Sequence, residues 1–181
     1  MTTSGDNDPV ILVDADDVAV GTTGKLDAHK RGLKHRAISV LVRNSAGQLL
    51  LQQRHPAKYH SGRLWANACC SHPLPDESTA EAAQRRLKQE MGITCALTPL
   101  FKFDYRAQVS DDLVENELVH VFGGTHDGAV AVDPTEVAEW KWIDFDNLAA
   151  DLRERPENYA IWFRKYVAAH GGLILGWLAG H

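Results

Sequence analysis

Cys70 and His72 stand two positions apart in the run Trp65-Ala66-Asn67-Ala68-Cys69-Cys70-Ser71-His72-Pro73. A thiol so placed can act as nucleophile, proton donor or metal ligand. It can equally be a buried cysteine beside a turn histidine. A structural zinc site of paired cysteines is not available, because Cys95 stands alone. A second group is Glu115-Asn116-Glu117, flanked by Leu113, Val114, Leu118 and Val119. On a strand the side chains alternate, so Glu115 and Glu117 share a face. Two carboxylates that close repel when both are ionised; a cation lies between them or one keeps a proton. His29, His35 and His72 add three imidazoles, and with the two glutamates they make an N/O donor set suited to a first-row transition ion. His55, His60, His120, His126, His170 and His181 show no comparable pattern and are set aside. Lys25, Arg54 and Lys58, with Arg85 and Arg86, form a basic set able to clamp a diphosphate, although each alone is as readily a solvated charge.

These groups need a scaffold of strands and helices. Short strands are expected over Val10–Val13 and Val18–Val20, a short helix or loop over Lys25–Lys34, and a strong strand over His35–Val42. Asn44-Ser45-Ala46-Gly47 is a hairpin signal answered by a strand over Gln48–Arg54, and His55–Asn67 reads as irregular. Ser78–Met91 is the clearest helix: Ser78 with Glu81 makes a capping box, Ala80, Ala83, Leu87 and Met91 recur at helical spacing, and Gly92 stops it. Leu97–Val109 and Leu113–Phe122 read as strands around the turn Ser110-Asp111-Asp112, then Glu139–Ile143 as another. Asp144–Leu152 and Pro156–His170 read as closing helices. The order predicts an α/β (α+β) fold, a central mixed β-sheet flanked by helices.

The whole chain sets bounds. Its 181 residues, 44% hydrophobic and 24% charged, suit one globular domain over 1–181, with 1–9 a flexible N-terminal segment. A net charge of -5 gives no basic footprint for nucleic acid and leaves room for a local anion pocket. The three cysteines make no disulfide framework, which fits a reducing, cytoplasmic setting. Met1–Pro9 is polar and acidic, unlike a secretory signal. The apolar tail Leu173–Ala179 is too short to span a bilayer and is expected to pack on the body or on a partner subunit. Monomer and homodimer both remain open.

The stretch Ser71 to Ile93 resembles a degenerate Nudix box, G-x5-E-x7-R-E-U-x-E-E-x-G-U. Glu77, Arg85, Leu87, Glu90, Gly92 and Ile93 are in register, whereas Ser71, Arg86 and Gln89 depart from it. A cation and an amide at two acidic positions remove negative charge from a hydrolase's metal site. These departures are similar to those of the type I isopentenyl diphosphate isomerases, which show W-x-N-x-x-C-x-H-P, a box ending E-x-G, and E-N-E on a strand. Trp65, Asn67, Cys70, His72, Pro73, Glu90, Gly92, Glu115, Asn116 and Glu117 match in order. The resemblance implies a Nudix-like fold and the metal-dependent conversion of isopentenyl to dimethylallyl diphosphate. It implies Cys70 and Glu117 as catalytic residues, with Cys69 off register. It implies a Mn²⁺ or Zn²⁺ site of His29, His35, His72, Glu115 and Glu117, and Glu90 helping to hold a Mg²⁺ that arrives with the diphosphate. Lys25, Arg54, Lys58 and Arg86 would contact the diphosphate, and Tyr105 and Trp162 would lie beside the hydrocarbon. The interval from His29 to His35 is one residue shorter than that family's spacing. Two other activities compete with this one, a Nudix diphosphate hydrolase and a non-catalytic Nudix-like binding module.

Overall fold

The computed structural model describes residues 8–58 and 60–180. Residues 1–7 of the expected flexible segment lie outside the described residues, and the first strand, β1, begins at Pro9 and runs to Val13. It pairs antiparallel with β2, Ala19–Gly24. Helix α1, Lys25–Arg31, follows directly and ends at Gly32, whose φ of 60° is a left-handed cap that favours glycine. The central strand is β3, His35–Arg43. Its residues Ala37 to Val42 are buried without alternation, as required of a strand covered on both faces. The hairpin signal turns β3 into β4, Leu49–Arg54.

Three differences from the sequence reading concern the elements near the site. The second strand lies further along than Val18–Val20. The segment read as irregular ends in a short strand, β5, Trp65–Asn67, which pairs with β4. Cys69–Ser71 forms another, β6, which pairs antiparallel with the middle of β3. Strands of three residues carry too little periodicity to register in a sequence; their pairing partner creates them.

Helix α2, Thr79–Met91, forms as expected: the Ser78 hydroxyl accepts from the Glu81 amide at 3.2 Å, and the Glu81 carboxylate accepts from the Ser78 amide at 3.0 Å. The long strands β7, Leu97–Ser110, and β8, Leu113–Thr125, form an antiparallel pair, and β9, Val137–Ile143, pairs with β4. The strands join in one mixed sheet, in which β3 and β8 run parallel. Helix α3, Phe145–Glu154, a single 3-10 turn over Pro156–Asn158, and α4, Ile161–Leu178, close the chain.

The sheet divides the interior. On one face, Ile38, Val40, Val42 and Phe122 pack against Ala82, Ala83, Leu87 and Met91 of α2. On the other, Ala37, Leu41, Val119 and Val121 pack against Trp162, Phe163, Tyr166 and Val167 of α4. Helix α4 runs past His170, where the backbone leaves helical geometry, and takes in the apolar tail. The tail packs on the body through buried Ile174 and Leu178, and Arg43 donates to the Leu178 carbonyl at 3.1 Å. No helix among the described residues is long and apolar enough to cross a membrane.

Candidate active site and metal centre

The strand registers bring the chemistry together on the α4 side. In the parallel pair His35 stands opposite Glu117, and in the antiparallel pair Tyr105 stands opposite Glu117 and Ala107 opposite Glu115. The register of β3 with β6 sets Ser39 opposite Cys70. Helix α1 contributes Lys25 and His29, the residues after β6 contribute His72, and the start of α4 contributes Trp162. The pocket they enclose is lined by Lys25, His29, Arg54, Cys70, His72, Glu115, Glu117 and Trp162, among others.

At its floor the ligand atoms of His29, His35, His72 and Glu117 all lie within 4.8 Å of one another. The shorter interval between His29 and His35 does not keep His29 from the cluster. His29 donates from Nδ1 to the Lys25 carbonyl at 2.7 Å, and His35 from Nδ1 to the Leu33 carbonyl at 2.8 Å. Each ring therefore presents Nε2 as its lone-pair nitrogen, with its orientation fixed by the backbone. His35 Nε2 is buried, has no hydrogen-bond partner among the described residues, and stands 3.4 Å from Glu117 Oε1. His72 Nε2 lies 3.0 Å from the same oxygen. Converging lone pairs and an orphaned buried nitrogen are what a bound cation satisfies, so the donor set fits a divalent metal.

The electrostatics agree. Burial lowers His29 and carries His72 down to about 3, so both are neutral and able to ligate. Burial alone would raise Glu117, but the imidazoles of His35 and His72 beside it hold its carboxyl well below the usual range. Burial and then the Glu117 charge push Glu115 up to about 8. Without a cation Glu115 is thus the carboxyl that keeps a proton. The Tyr105 hydroxyl bridges the pair, 2.8 Å from Glu115 and 2.9 Å from Glu117. It carries one hydrogen, so it donates to Glu117 while a protonated Glu115 donates to it. Tyr105 is held behind the carboxylates and stacked on Phe103, with the ring centroids 5.5 Å apart.

Cys70 and Cys69 are neighbours with different surroundings. Cys69 is wholly buried among the residues facing α2, whereas Cys70 packs against the α4 layer and lines the pocket. Cys70 Sγ lies 3.2 Å from Ser39 Oγ and 3.1 Å from Asn67 Oδ1. Burial pushes its thiol up to about 12, so it holds its proton at neutral pH. The Arg54 guanidinium lies over Trp162, 5.0 Å from the ring centroid. Trp65, by contrast, stacks under Lys141 at 4.1 Å and supplies no pocket wall.

The basic set converges in part. Burial brings Lys25 down to about 8, helped by the positive charges of Arg54, Lys58 and Arg86 around it. Lys58 is paired with Glu136, and Arg86 is buried between Glu90, at 2.6 Å, and Glu136, at 3.5 Å. Glu90 accepts from Gln52 at 2.9 Å and, among the described residues, belongs to no metal-ligand cluster. Arg85 turns away to Glu77, at 2.7 Å. One residue set aside in the sequence belongs in this site: His60 is buried in the pocket wall, and its Nε2 lies 3.4 Å from Glu115 Oε1. The irregular segment that carries it has no period, so only the fold reveals its direction.

The family model for the NUDIX domain matches residues 33–164. The chain is 52% identical over 155 residues to isopentenyl-diphosphate Delta-isomerase 2 of Aromatoleum aromaticum, covering 86% of this chain and 82% of that protein. It is 48% identical over 166 residues to the isopentenyl-diphosphate Delta-isomerase of Burkholderia multivorans, covering 92% and 94%. The chain belongs to the type I isopentenyl-diphosphate isomerases of the Nudix superfamily. The fold is similar to that of DR0079 from Deinococcus radiodurans, with a TM-score of 0.68 at 19% identity, covering 82% of this chain and 90% of that one. The Cys-x-His-Pro and Glu-Asn-Glu motifs, with His72 and Glu115 43 positions apart in the sequence, are thus brought to one pocket by β6 and β8.

Proposed function

We propose that this chain catalyses the metal-dependent isomerisation of isopentenyl diphosphate to dimethylallyl diphosphate, feeding isoprenoid synthesis. The observation that carries this reading is one pocket lined by the Cys70 thiol and the Glu117 carboxyl together with the cationic side chains of Lys25 and Arg54. The reaction adds a proton at the terminal alkene carbon and removes one from the carbon bearing the CH₂O group. Atoms balance, and a tertiary cation lies between the two steps. Cys70 and Glu117 are the acid–base pair, one on each face of the alkene, and Tyr105 passes protons to and from Glu117. Trp162 faces the hydrocarbon and offers π density to the cation. Lys25, Arg54, Lys58 and Arg86 hold the diphosphate, and the buried Arg54 Nε, which has no hydrogen-bond partner among the described residues, is a donor awaiting an anion.

His29, His35, His72, Glu115 and Glu117 are the residues proposed to hold Mn²⁺ or Zn²⁺. Such an ion supplies the charge that lets both carboxylates stay ionised at close range. Mg²⁺ would accompany the diphosphate, with Glu90 helping to hold it. Glu90 is already engaged by Arg86 and Gln52, so Mg²⁺ would draw most of its ligands from phosphate and water. Arg86 on Glu90 also argues against hydrolysis, since it occupies the place where a hydrolase box gathers carboxylates. The acidic net charge favours a small anionic substrate over nucleic acid, and the free cysteines suit the cytoplasm.

The test is incubation with isopentenyl diphosphate, Mn²⁺ and Mg²⁺ in D₂O, followed by NMR. The expected product is dimethylallyl diphosphate with an intact diphosphate and deuterium in a methyl group. Released phosphate, or substrate recovered intact and unlabelled, overturns the proposal. Isomerised but unlabelled product overturns the two-residue acid–base mechanism.

A further inference from the structure

The pocket contains two matching halves. In one, His35 Nε2 stands 3.4 Å from Glu117 Oε1; in the other, His60 Nε2 stands 3.4 Å from Glu115 Oε1. His29 lies between them, its ring centroid 4.9 Å from that of His35 and 5.7 Å from that of His60. The ligand atoms of His29, His60 and Glu115 all lie within 4.8 Å of one another. His60 is also restrained, by a hydroxyl where the other two rings use a backbone carbonyl. Its Nδ1 is 3.1 Å from Ser61 Oγ, which leaves Nε2 turned toward the carboxylate. A restrained second nitrogen is the usual support of a ligating imidazole. The ring meets Trp162 edge-on, with centroids 6.1 Å apart, so it lies between the carboxylates and the wall proposed to face the hydrocarbon.

We propose that His60 is a metal ligand, and that with Glu115 and the shared His29 it forms a second position for the divalent transition ion, adjoining that of His35, His72 and Glu117. The inference rests on the metal centre proposed above. One nitrogen of His29 cannot bind two ions, so the chain holds one ion at a time in two overlapping positions.

Co²⁺ tests this, because its visible spectrum reports ligand number and its affinity is measured by chelator competition. The full chain is compared with His60→Ala, His60→Gln, His35→Ala and His120→Ala, with circular dichroism verifying each fold. His60→Ala and His60→Gln are expected to bind Co²⁺ roughly 2-fold more weakly, because losing one of two equally filled, mutually exclusive positions halves the affinity. Their spectra change, and free imidazole restores that of His60→Ala. His120→Ala, whose imidazole pairs with Asp17 at 2.8 Å outside the pocket, behaves as wild type. Wild-type affinity and spectrum in both His60 variants, with Co²⁺ lost in His35→Ala, overturn this inference alone. If His35→Ala also keeps Co²⁺ unchanged, the metal centre itself is misplaced and both readings fall.

Discussion

Replacing Tyr105 by Phe removes one oxygen and leaves the ring stacked on Phe103. The lost hydroxyl lies 2.8 Å and 2.9 Å from two buried carboxyl groups. A hydrogen bond to a charged group contributes about 1.5–3 kcal/mol. If that bond serves the proton path to Glu117, its loss appears in kcat as a decrease of about 10- to 150-fold, at about 1.4 kcal/mol per decade. The same energy read in unfolding lowers the melting temperature by roughly 3–12 °C, taking 2–4 °C per kcal/mol for a chain of this size. Bound metal should stay near wild type, because Tyr105 is not in the ligand cluster. The assays are steady-state kinetics at saturating substrate, elemental analysis and thermal unfolding. A variant that keeps its metal and full kcat removes Tyr105 from the proton path, whatever happens to its melting temperature.

Cys70→Ala should lose isomerisation while Cys69→Ala keeps most of it, since the two side chains belong to opposite layers of the sheet; equal losses measured by product NMR contradict this assignment. His35→Ala should purify with much less transition metal, read by elemental analysis, because its buried Nε2 has no hydrogen-bond partner among the described residues and its lone pair is open to a cation. Arg86→Glu should fail to fold stably, costing about 3–5 kcal/mol or more as Glu90 and Glu136 lose their buried partner; a wild-type melting temperature refutes that. For Lys25, with a folded pKa depressed to about 8 against an ordinary 10.5, the ammonium is lost as pH rises through 8, so kcat/KM should fall above that pH and Lys25→Arg should remove the limb. The linkage runs the other way for stability. Between pH 8 and 10.5 the unfolded chain binds the extra proton, so the contribution of Lys25 to stability improves as pH rises across that window.

What the sequence revealed was local. Ser78 and Glu81 announce α2 because a capping box is completed within one turn. Glu115 and Glu117 share a face because strands alternate, whereas Cys70 is set apart from Cys69 in the sequence only by the register of the Cys-x-His-Pro motif. The parallel pairing that sets His35 against Glu117 was not legible, because it joins segments some eighty positions apart with no local mark of the partner. The assignment of His29, His35 and His72 to one centre therefore came from donor chemistry and resemblance; in the structure their ligand atoms lie within 4.8 Å of one another. His60 escaped notice because its segment has neither period nor cap. The pairing of Glu90 with Arg86 was hidden as well: an i, i+4 spacing is visible in the sequence, but its burial depends on Gln52 and Glu136 arriving from elsewhere.

The parallel register of β3 with β8 also sets an order of events during synthesis. Most of the imidazole donors emerge early, on α1, β3 and the residue after β6, whereas their carboxylates follow only when β8 leaves the ribosome. Parallel strands joined by a long crossover close slowly, because the loop entropy must be met before contacts reward it. A divalent ion has no complete site until that closure, so it cannot nucleate the fold. Once the strands have met, ligands on both of them tie the ends of the crossover together. Metal binding should then slow unfolding much more than it speeds folding, making the ion a late clasp on the topology.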